Sequence, residues 1–310
     1  MLRFLFLRGL QALVTLWVLS VVTFLMGALA PGGPVEVILG QHANPEAARQ
    51  LNREFGLDRP LPERYARWVA GLCRGDLGIS FRDRQPVGPT ILQRYPMTAR
   101  LALMAAAYAL VLGVPLGALA AWRPGTWLDR LATTLALAGV SVPAFVLLPL
   151  LVLIFSLRLR WFPVTYETQW WHLLLPAVAL GTRPAALLAR MTRASLLDTL
   201  GQDYVRTARA KGLSRSAAFF RHAGRNALVP VLTVLGTSVG YMLSGSFVVE
   251  TLFGIPGIGE MSVAAIPARD YPVIQAVTLL GATVFLIVNL AVDLLYGFLD
   301  PRLRVATVAN

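Results

Sequence analysis

The chain has 310 residues, of which 56% are hydrophobic and only 14% are charged, and its mean hydropathy is +0.63. Soluble domains are usually about 45–50% apolar and about 25% charged, so this composition excludes an ordinary soluble domain and indicates a membrane protein. The formal net charge is +12, and Lys211 is the only lysine, so the basicity is arginine basicity. A charge of this sign suits either nucleic acid or a membrane surface.

Cysteine and histidine are too sparse for several kinds of site. Cys73 is the only cysteine, which rules out a disulfide within the chain and a cysteine metal cage. We expect a semi-buried free thiol there, with intermolecular pairing as the alternative. His42, His172 and His222 lie too far apart in sequence to form a local metal motif, so no metal site is predicted.

Six stretches without Asp, Glu, Lys or Arg mark the predicted membrane spans. They are Gly9 to Val35, Leu101 to Trp122, Leu131 to Leu157, Thr168 to Thr182, Asn226 to Val249 and Tyr271 to Val292. Five of them contain at least 22 residues, and a helix of that length reaches about 33 Å, enough for the roughly 30 Å hydrocarbon layer. The fourth becomes a span over Trp171 to Ala189 if Arg183 snorkels or faces other protein. The sequence therefore predicts an all-α membrane protein with a six-helix bundle.

The first stretch could instead be a cleaved signal peptide, because Arg3 and Arg8 precede an apolar run that ends in Ala28-Leu-Ala30. The hydrophobic region of a signal peptide is about 7 to 15 residues long, whereas Gly9 to Ala30 is long enough to cross a bilayer. We therefore interpret residues 1–30 as the N-terminus and a first membrane helix.

Arginines in short loops predict the orientation of the chain. One set of loops holds Arg3, Arg8, Arg123, Arg130, Arg190, Arg193, Arg206, Arg209, Lys211, Arg215, Arg221, Arg225, Arg302 and Arg304. The opposite short loops hold only Arg158, Arg160 and Arg269. Both termini are therefore predicted to be cytoplasmic. Residues 31–100 then form an extracytoplasmic subdomain with a helix near Asn44 to Phe55, and residues 101–310 form the transmembrane core.

The residues expected of an enzyme or of a coupled carrier are missing from the predicted spans. Ser238 has no intramembrane His or Lys partner, which argues against a hydrolase. The sequence around Lys211 does not match the phosphate-binding loop of an ATPase. A proton- or sodium-coupled carrier usually has a carboxylate at mid-depth, but Glu250 and Asp293 lie at helix ends. The segment Gly254-Ile-Pro-Gly-Ile-Gly259 is better interpreted as a tight turn than as a phosphate site.

Glycines and prolines predict how the spans pack. The pairs Gly113/Gly117 and Gly236/Gly240 are spaced as small residues that let helices approach closely. Prolines inside or at the start of the spans are expected to kink the helices. These prolines are Pro115, Pro143, Pro149, Pro176 and Pro230.

A basic loop, residues 190–226, joins the fourth and fifth spans. Asp203 suits the start of a helix, Arg209 and Lys211 suit its last turn, and Gly212 suits a left-handed cap, which together predict a helix of about two turns. Its apolar residues are Tyr204, Val205 and Ala208. This edge could enter a groove on a soluble partner, or the loop could bind anionic lipid headgroups, and the residues favour neither.

The segment Asp203-Tyr-Val-Arg-Thr-Ala-Arg-Ala-Lys-Gly-Leu-Ser214, followed by His222-Ala-Gly-Arg-Asn-Ala-Leu-Val-Pro230, resembles the cytoplasmic signature of the B-type permease subunit of oligopeptide and dipeptide ABC importers. Other segments resemble that family in its order, so the resemblance covers essentially the whole chain. They are Gly75-Asp-Leu-Gly78, Pro86-Val87, Ala189-Arg-Met-Thr-Arg-Ala-Ser195, Glu250-Thr-Leu-Phe-Gly-Ile-Pro-Gly-Ile-Gly259, Arg269-Asp-Tyr-Pro272, Asn289-Leu-Ala-Val-Asp-Leu-Leu-Tyr296 and Asp300-Pro-Arg302. Against the broader consensus E-A-A-x-x-x-G, Arg206 replaces the Glu and Thr207 replaces the first Ala.

The resemblance implies a six-helix subunit of the type I ABC importer kind in the bacterial inner membrane. It would pair with a homologous C-type permease, two cytoplasmic ATPases that hold ATP and Mg, and an external substrate-binding protein, and would itself bind no cofactor and no nucleic acid. Coupling to the ATPases is assigned to Asp203, Tyr204, Arg206, Ala208, Lys211 and Gly212. The outer loop that would receive the binding protein includes Glu250, Pro256, Gly257, Gly259 and Asp270.

Polar residues of the last two spans are candidates for the lining of the translocation pathway, and hydrogen bonding between helices is an equal alternative for each. They are Ser238, Tyr241, Ser244, Thr278 and Asn289. The function implied is ATP-driven import of di- or oligopeptides by a transporter subunit that is not an enzyme. Nickel complexes or glutathione-like solutes are alternative substrates, and a stand-alone channel or secondary carrier is an alternative class.

Overall fold

A computed structural model describes residues 2–30, 32–40 and 44–299. Pro31, His42 and the terminal residues Asp300, Arg302 and Arg304 lie outside this part of the chain, as do the side chains of Arg3, Arg215, Arg221, His222 and Arg225. The predicted all-α class is confirmed within the described part, where the extended pairing is a single bridge between Ile79 and Pro86.

The helices follow one another with short connections. They are α1 (Leu2–Leu29), α2 (Pro34–Leu39), α3 (Pro45–Glu54), α4 (Leu61–Cys73), α5 (Val87–Trp122), α6 (Trp127–Ser141), α7 (Ala144–Leu151), α8 (Leu174–Leu200), α9 (Asp203–Ala210), α10 (Arg215–Ala217), α11 (Gly224–Leu243), α12 (Phe247–Phe253), α13 (Ile258–Ala265) and α14 (Tyr271–Leu299). A π-helical stretch, Val152–Arg158, continues α7, another, Ala218–Ala223, joins α10 to α11, and a 3₁₀ turn, Trp170–Leu173, precedes α8.

Four of the described helices are long and apolar enough to cross a membrane by themselves: Phe6–Leu29, Val87–Trp122, Trp170–Leu200 and Tyr271–Leu295. Two bent pairs of helices supply two more spans when each pair is counted as one. The predicted number of six spans is met on that count, and the fourth span includes Arg183 as the sequence required.

Two predicted spans are not the single helices that their charge-free runs suggest. The third run breaks between α6 and α7 with a bend of 103°. Pro143 forces Val142 into an extended conformation, φ −89° and ψ 115°, which ends α6. The fifth run bends by 53° between α11 and α12, where Gly245 has a φ of +123°. The positions of charged residues could not predict these breaks, because a proline makes one of them and a glycine with positive φ lies at the other.

The second span begins earlier than its charge-free run. The helix α5 has 36 residues and starts at Val87, so it includes part of the segment predicted as an outer subdomain. Arg94 and Arg100 lie within this helix, and Arg100 set the start of the charge-free run at Leu101. Arg94 is accommodated by an ion pair with Glu260. Ahead of α5, the helix α3 begins at Pro45 with Asn44 as its N-cap, which confirms the helix predicted near Asn44 to Phe55. The prediction for Cys73 is wrong, because its side chain is exposed and not semi-buried.

The centre of the fold is the contact between α5 and α8. A Cβ atom added at Gly113 or Gly117 would overlap the carbonyl oxygen of Ala185 or Ala189 in α8, and one at Gly181 would lie 2.5 Å from the carbonyl oxygen of Ala105. The two backbones therefore touch directly on both sides of the seam, which confirms the packing role predicted for Gly113 and Gly117.

The other helices pack around this seam. A Cβ atom added at Gly240 of α11 would lie 3.1 Å from the Phe285 ring of α14, and one at Gly236 would overlap Val292, so the second glycine pair also serves packing. The helix α1 lies against α14, and Arg8 forms a 2.8 Å ion pair with Asp293. We call the end of the bundle with Arg8 and α9 the basic end, and the end with α12, α13 and the start of α14 the carboxylate end.

The α5–α8 seam makes a testable prediction. Gly117→Ala would place a methyl group against the backbone of Ala189, so we expect the protein to lose about 1–3 kcal/mol of stability through overpacking. Gly9→Ala is the matched control, because no atom lies within 4 Å of the added Cβ. Unfolding of both purified variants in detergent, followed by circular dichroism, measures the difference. Equal stabilities would contradict the seam.

Candidate functional site

The helix α9 projects from the basic end and exposes most of its polar residues. Gln202 is the N-cap and Asp203 is the first helical residue. The negative charge of Asp203 therefore lies in the first turn, where it interacts favourably with the helix dipole. Asp203, Arg206, Arg209 and Lys211 are all exposed, and Tyr204 is 43% exposed. The two-turn helix predicted from these residues is confirmed.

A complete glycine cap ends α9. Gly212 has a φ of +93°, the Gly212 amide donates to the carbonyl of Arg209 at 3.0 Å, and the Leu213 amide donates to the carbonyl of Ala208 at 3.2 Å. This pair of hydrogen bonds is the Schellman motif, in which glycine supplies the positive φ. The cap fixes where α9 stops and how the chain leaves it.

The helix α9 is anchored on the bundle by one apolar side chain. Val205 is only 1% exposed, so it does not belong to a free apolar edge together with Tyr204, contrary to the sequence prediction. The neighbouring π-helical stretch buries Phe219, whose ring meets Trp122 of α5 edge to face at 4.9 Å. Burial of these two residues ties the basic loop to the end of the α5–α8 seam.

A cavity of about 1380 Å³ lies beside the seam, between α5, α6, α8 and α11. Its walls are mainly apolar. The polar residues that line it are Thr133, Arg183, Arg190, Arg193, Thr237, Ser238 and Tyr241. Two of the predicted pathway residues, Ser238 and Tyr241, are therefore brought together there, and Tyr241 is 78% exposed.

The other three predicted pathway residues are not among those that line this cavity. The Ser244 hydroxyl lies 2.8 Å from the carbonyl of Gly240 and 2.9 Å from that of Gly281, so it joins α11 to α14. Thr278 and Asn289 each donate to a carbonyl one turn back in α14. For Ser244, the interhelical hydrogen bond that the sequence left open is present.

One arginine of the cavity wall is already paired. Arg193 of α8 donates to both carboxylate oxygens of Asp129 at 2.6 Å and 2.8 Å, and Asp129 is buried. This bidentate pair fixes the start of α6 against α8 at the basic end. This ion pair could not be predicted from the sequence, because the two residues lie 64 positions apart.

Glu250 lies at the opposite end of the bundle and is fully buried. One carboxylate oxygen accepts from the Ser246 hydroxyl at 2.8 Å and from its amide at 3.3 Å. The other accepts from the amides of Gly259 at 2.7 Å and Glu260 at 3.2 Å, in the first turn of α13. The carboxylate of Glu250, a residue of α12, thus caps the N-terminus of α13 and joins the two helices.

The glycines of this motif make room for the carboxylate. A Cβ atom at Gly257 would overlap the Glu250 carboxylate and the Thr98 hydroxyl, and one at Gly259 would lie 2.8 Å from the same carboxylate. Thr98, fully buried in α5, accepts from the amide of Ile258 at 3.0 Å. Sequence reasoning missed Thr98, since a threonine in an apolar helix carries no sign of a partner 160 positions away.

Asp270 organises the next turn of the carboxylate end. Its carboxylate accepts from the Ser80 hydroxyl and from the amide of Phe81 at 3.0 Å, which fixes the loop ahead of α5. Pro256 is exposed, whereas Gly257, Gly259, Glu250 and Asp270 are all buried. Of the predicted outer-loop residues, the buried ones therefore shape the loop and Pro256 lies on its surface.

The Glu250 site makes a prediction about stability. Glu250→Ala would leave the amides of Gly259 and Glu260 buried without their acceptor, so we expect a loss of about 3 kcal/mol or more. Glu260→Ala is the matched control, since its single ion pair with Arg94 is partly exposed and worth at most about 1 kcal/mol. Thermal unfolding of the purified variants measures both, and equal losses would contradict the capping role.

Comparison with known families accounts for nearly the whole chain. Residues 113–305 match the family described as "Binding-protein-dependent transport system inner membrane component", and residues 1–102 match the N-terminal region described as "Binding-prot-dependent transport system membrane comp, N-term". The glutathione transport system permease protein GsiC of Escherichia coli O6:H1 is 41% identical over 305 residues, which is 98% of this chain and 99% of that protein. GsiC of Pectobacterium atrosepticum is also 41% identical, with the same coverage.

Two solved structures share the fold. An inward-facing structure of the MetNI methionine ABC transporter has a TM-score of 0.58 at 18% identity, covering 68% of this chain and 96% of that chain. An amino acid ABC transporter crystallised with histidines has a TM-score of 0.54 at 17% identity, covering 67% and 92%. This chain therefore belongs to the family of binding-protein-dependent transport system inner membrane components and is a multi-pass permease subunit of an ABC importer.

Proposed function

We propose that this permease carries small peptide-type solutes, glutathione or short peptides, into the bacterial cytoplasm. The observation that supports this most strongly is the 41% identity to glutathione transport system permeases across almost the entire chain. The cavity beside the α5–α8 seam, at about 1380 Å³, has room for a solute of this size. Its hydroxyl groups suit the amide groups of a peptide, because hydroxyls both donate and accept hydrogen bonds.

The pathway is completed by a second, homologous permease. Type I importers, which the family implies, use two such subunits. The wall residues Ser238 and Tyr241 would then face the solute along with residues of the partner. Ser244 joins α11 to α14, whereas Thr278 and Asn289 bond within α14.

Coupling to two cytoplasmic ATPases takes place through α9. Its exposed residues Asp203, Tyr204, Arg206 and Lys211 offer a polar surface for docking, while buried Val205 passes movement on to the bundle. In this orientation the basic end and both termini are cytoplasmic, as the positive-inside rule expects. ATP and Mg are held by the ATPases.

The carboxylate end receives an external substrate-binding protein. Asp270, just before α14, binds the outer segment at Phe81, and Thr98 of α5 binds the first turn of α13, so these elements lie together at this end, where Pro256 is exposed. Glu250, Gly257 and Gly259 maintain the shape of this surface from within.

Transport by the reconstituted complex tests the proposed function. This chain, its partner permease, the two ATPases and the binding protein would be placed in liposomes with ATP on the ATPase side. We expect ATP-dependent uptake of labelled glutathione, a dipeptide or a tripeptide at least tenfold above that of a nickel–histidine complex. Preferred uptake of nickel would contradict the substrate class, and ATP-independent uptake by this chain alone would indicate a channel or carrier.

The cap of α9 provides a test of coupling. Gly212→Val places a β-branched residue at a φ of +93°, which costs about 1–3 kcal/mol and frays the last turn of α9. We expect solute-stimulated ATP hydrolysis to fall to the basal rate while membrane insertion and the yield of complex stay unchanged.

A matched control exists in the connection between α5 and α6. Gly125 has a φ of +79°, and no atom lies within 4 Å of a Cβ atom added there, as is also true of Gly212. Gly125→Val therefore carries similar strain outside α9 and outside the outer segment, and should keep the stimulation. Normal stimulation in Gly212→Val, or an equal loss in both variants, would argue against coupling through α9.

A further inference from the structure

Arg183 is a charged residue in the middle of a membrane-spanning helix, and the functions described above leave it unused. It lies nine residues after the start of α8 and lines the cavity. A charge at this depth is costly unless it faces water or a counter-ion. Arg183 is exposed to the cavity, which shows how the chain tolerates it.

Arg183 has no counter-ion within the described part of the chain. No carboxylate there lies within ion-pair distance of Arg183 or of Arg190, and the residues that line the cavity include no Asp or Glu. The third arginine, Arg193, already binds both oxygens of Asp129. Two uncompensated positive charges therefore face a space with mainly apolar walls, which strengthens their attraction for an anion.

The surroundings of Arg183 define what kind of anion would fit. A guanidinium binds a carboxylate through two parallel hydrogen bonds. The hydroxyls of Thr237 and Ser238 donate to carbonyls one turn back in α11, so their oxygens stay free to accept from an ammonium or amide group. The cavity thus offers a cation for a carboxylate and acceptors for N–H groups of the same solute.

Arg190 repeats the arrangement closer to the basic end. It follows Arg183 by seven residues, two helical turns, so both lie on one face of α8 about 10 Å apart along the axis. A carboxylate released by Arg183 would meet Arg190 next on the way to α9.

We propose that Arg183 is the carboxylate-binding residue of the translocation pathway, with Arg190 as a second step. The permease itself then selects solutes with a free carboxylate, independently of the binding protein. This inference rests on the proposed function, because it takes the cavity as part of the pathway, and it adds the chemical class that the cavity prefers.

The test compares matched solutes that differ only in the carboxylate. Glutathione is paired with its glycinamide analogue, and trialanine with trialanine amide. Each solute is preloaded on the binding protein at saturation, so that the affinity of the binding protein does not affect the comparison. ATP-driven uptake by the reconstituted complex is then measured. The affinity of the purified complex without binding protein is measured by calorimetry for the same pairs. We expect the wild type to prefer the carboxylate form at least tenfold, as for a charge-assisted hydrogen bond.

Variants locate the preference. Arg183→Gln should reduce the preference to about one, because uptake of the carboxylate form falls about tenfold more than uptake of the amide form. Arg183→Lys keeps the charge and should retain most of the preference, and Arg190→Gln should lower it partly. Arg123→Gln is the control, because Arg123 is an exposed arginine outside the cavity.

Several outcomes would overturn the inference. Equal uptake of both forms by the wild type would do so without any variant. Equal loss of both forms in Arg183→Gln, or failure of that variant to assemble with the partner permease, would show that Arg183 pairs with protein and not with solute. ATP-driven uptake of neither form by the wild type would instead contradict the proposed function itself, and the inference with it.

Discussion

The backbone contact between α5 and α8 is the constraint on which the other features depend. Gly113 and Gly117 have no side chains to separate the two helices at these positions, so the α5 backbone lies directly against the carbonyl oxygens of Ala185 and Ala189 in α8. With 36 residues, α5 is about 54 Å long and reaches both ends of the bundle. Trp122 at one end packs on Phe219 beside α9, and Thr98 near the other end binds the first turn of α13. One rigid element thus positions both candidate surfaces.

The sequence predicted features that depend on neighbouring residues and missed those that depend on distant ones. Charge-free runs located the spans, because burial in lipid excludes charge locally, and the pattern from Asp203 to Gly212 located α9 with its cap, because capping is also local. The burial of Val205, the early start of α5 and the partners of Glu250 could not be predicted. Each depends on which elements meet in three dimensions, and a single sequence carries no record of that.

The charged residues within the bundle fall into two physical classes. Glu250 and Asp129 are buried and satisfied, the first by amides and a hydroxyl and the second by Arg193. Such groups hold helices in place, because removing either partner leaves the other buried without a hydrogen-bond or ion-pair partner. Arg183 and Arg190 differ, since they face open space without a carboxylate among the described residues. The satisfied charges belong to the framework, and the unsatisfied ones mark the place where a solute would complete the site.

The break between α6 and α7 links the framework to the cavity. Val140, Pro143 and Ala144 line the cavity, so its wall contains the point at which the third span bends by 103°. On the basic side of the break, Asp129 fixes α6 to α8. On the other side, Leu148 of α7 is buried in a core cluster with residues of α5, α8 and α12. The two halves of this wall are therefore held by different contacts, and any movement of α6 relative to α7 must change the shape of the cavity next to Arg183.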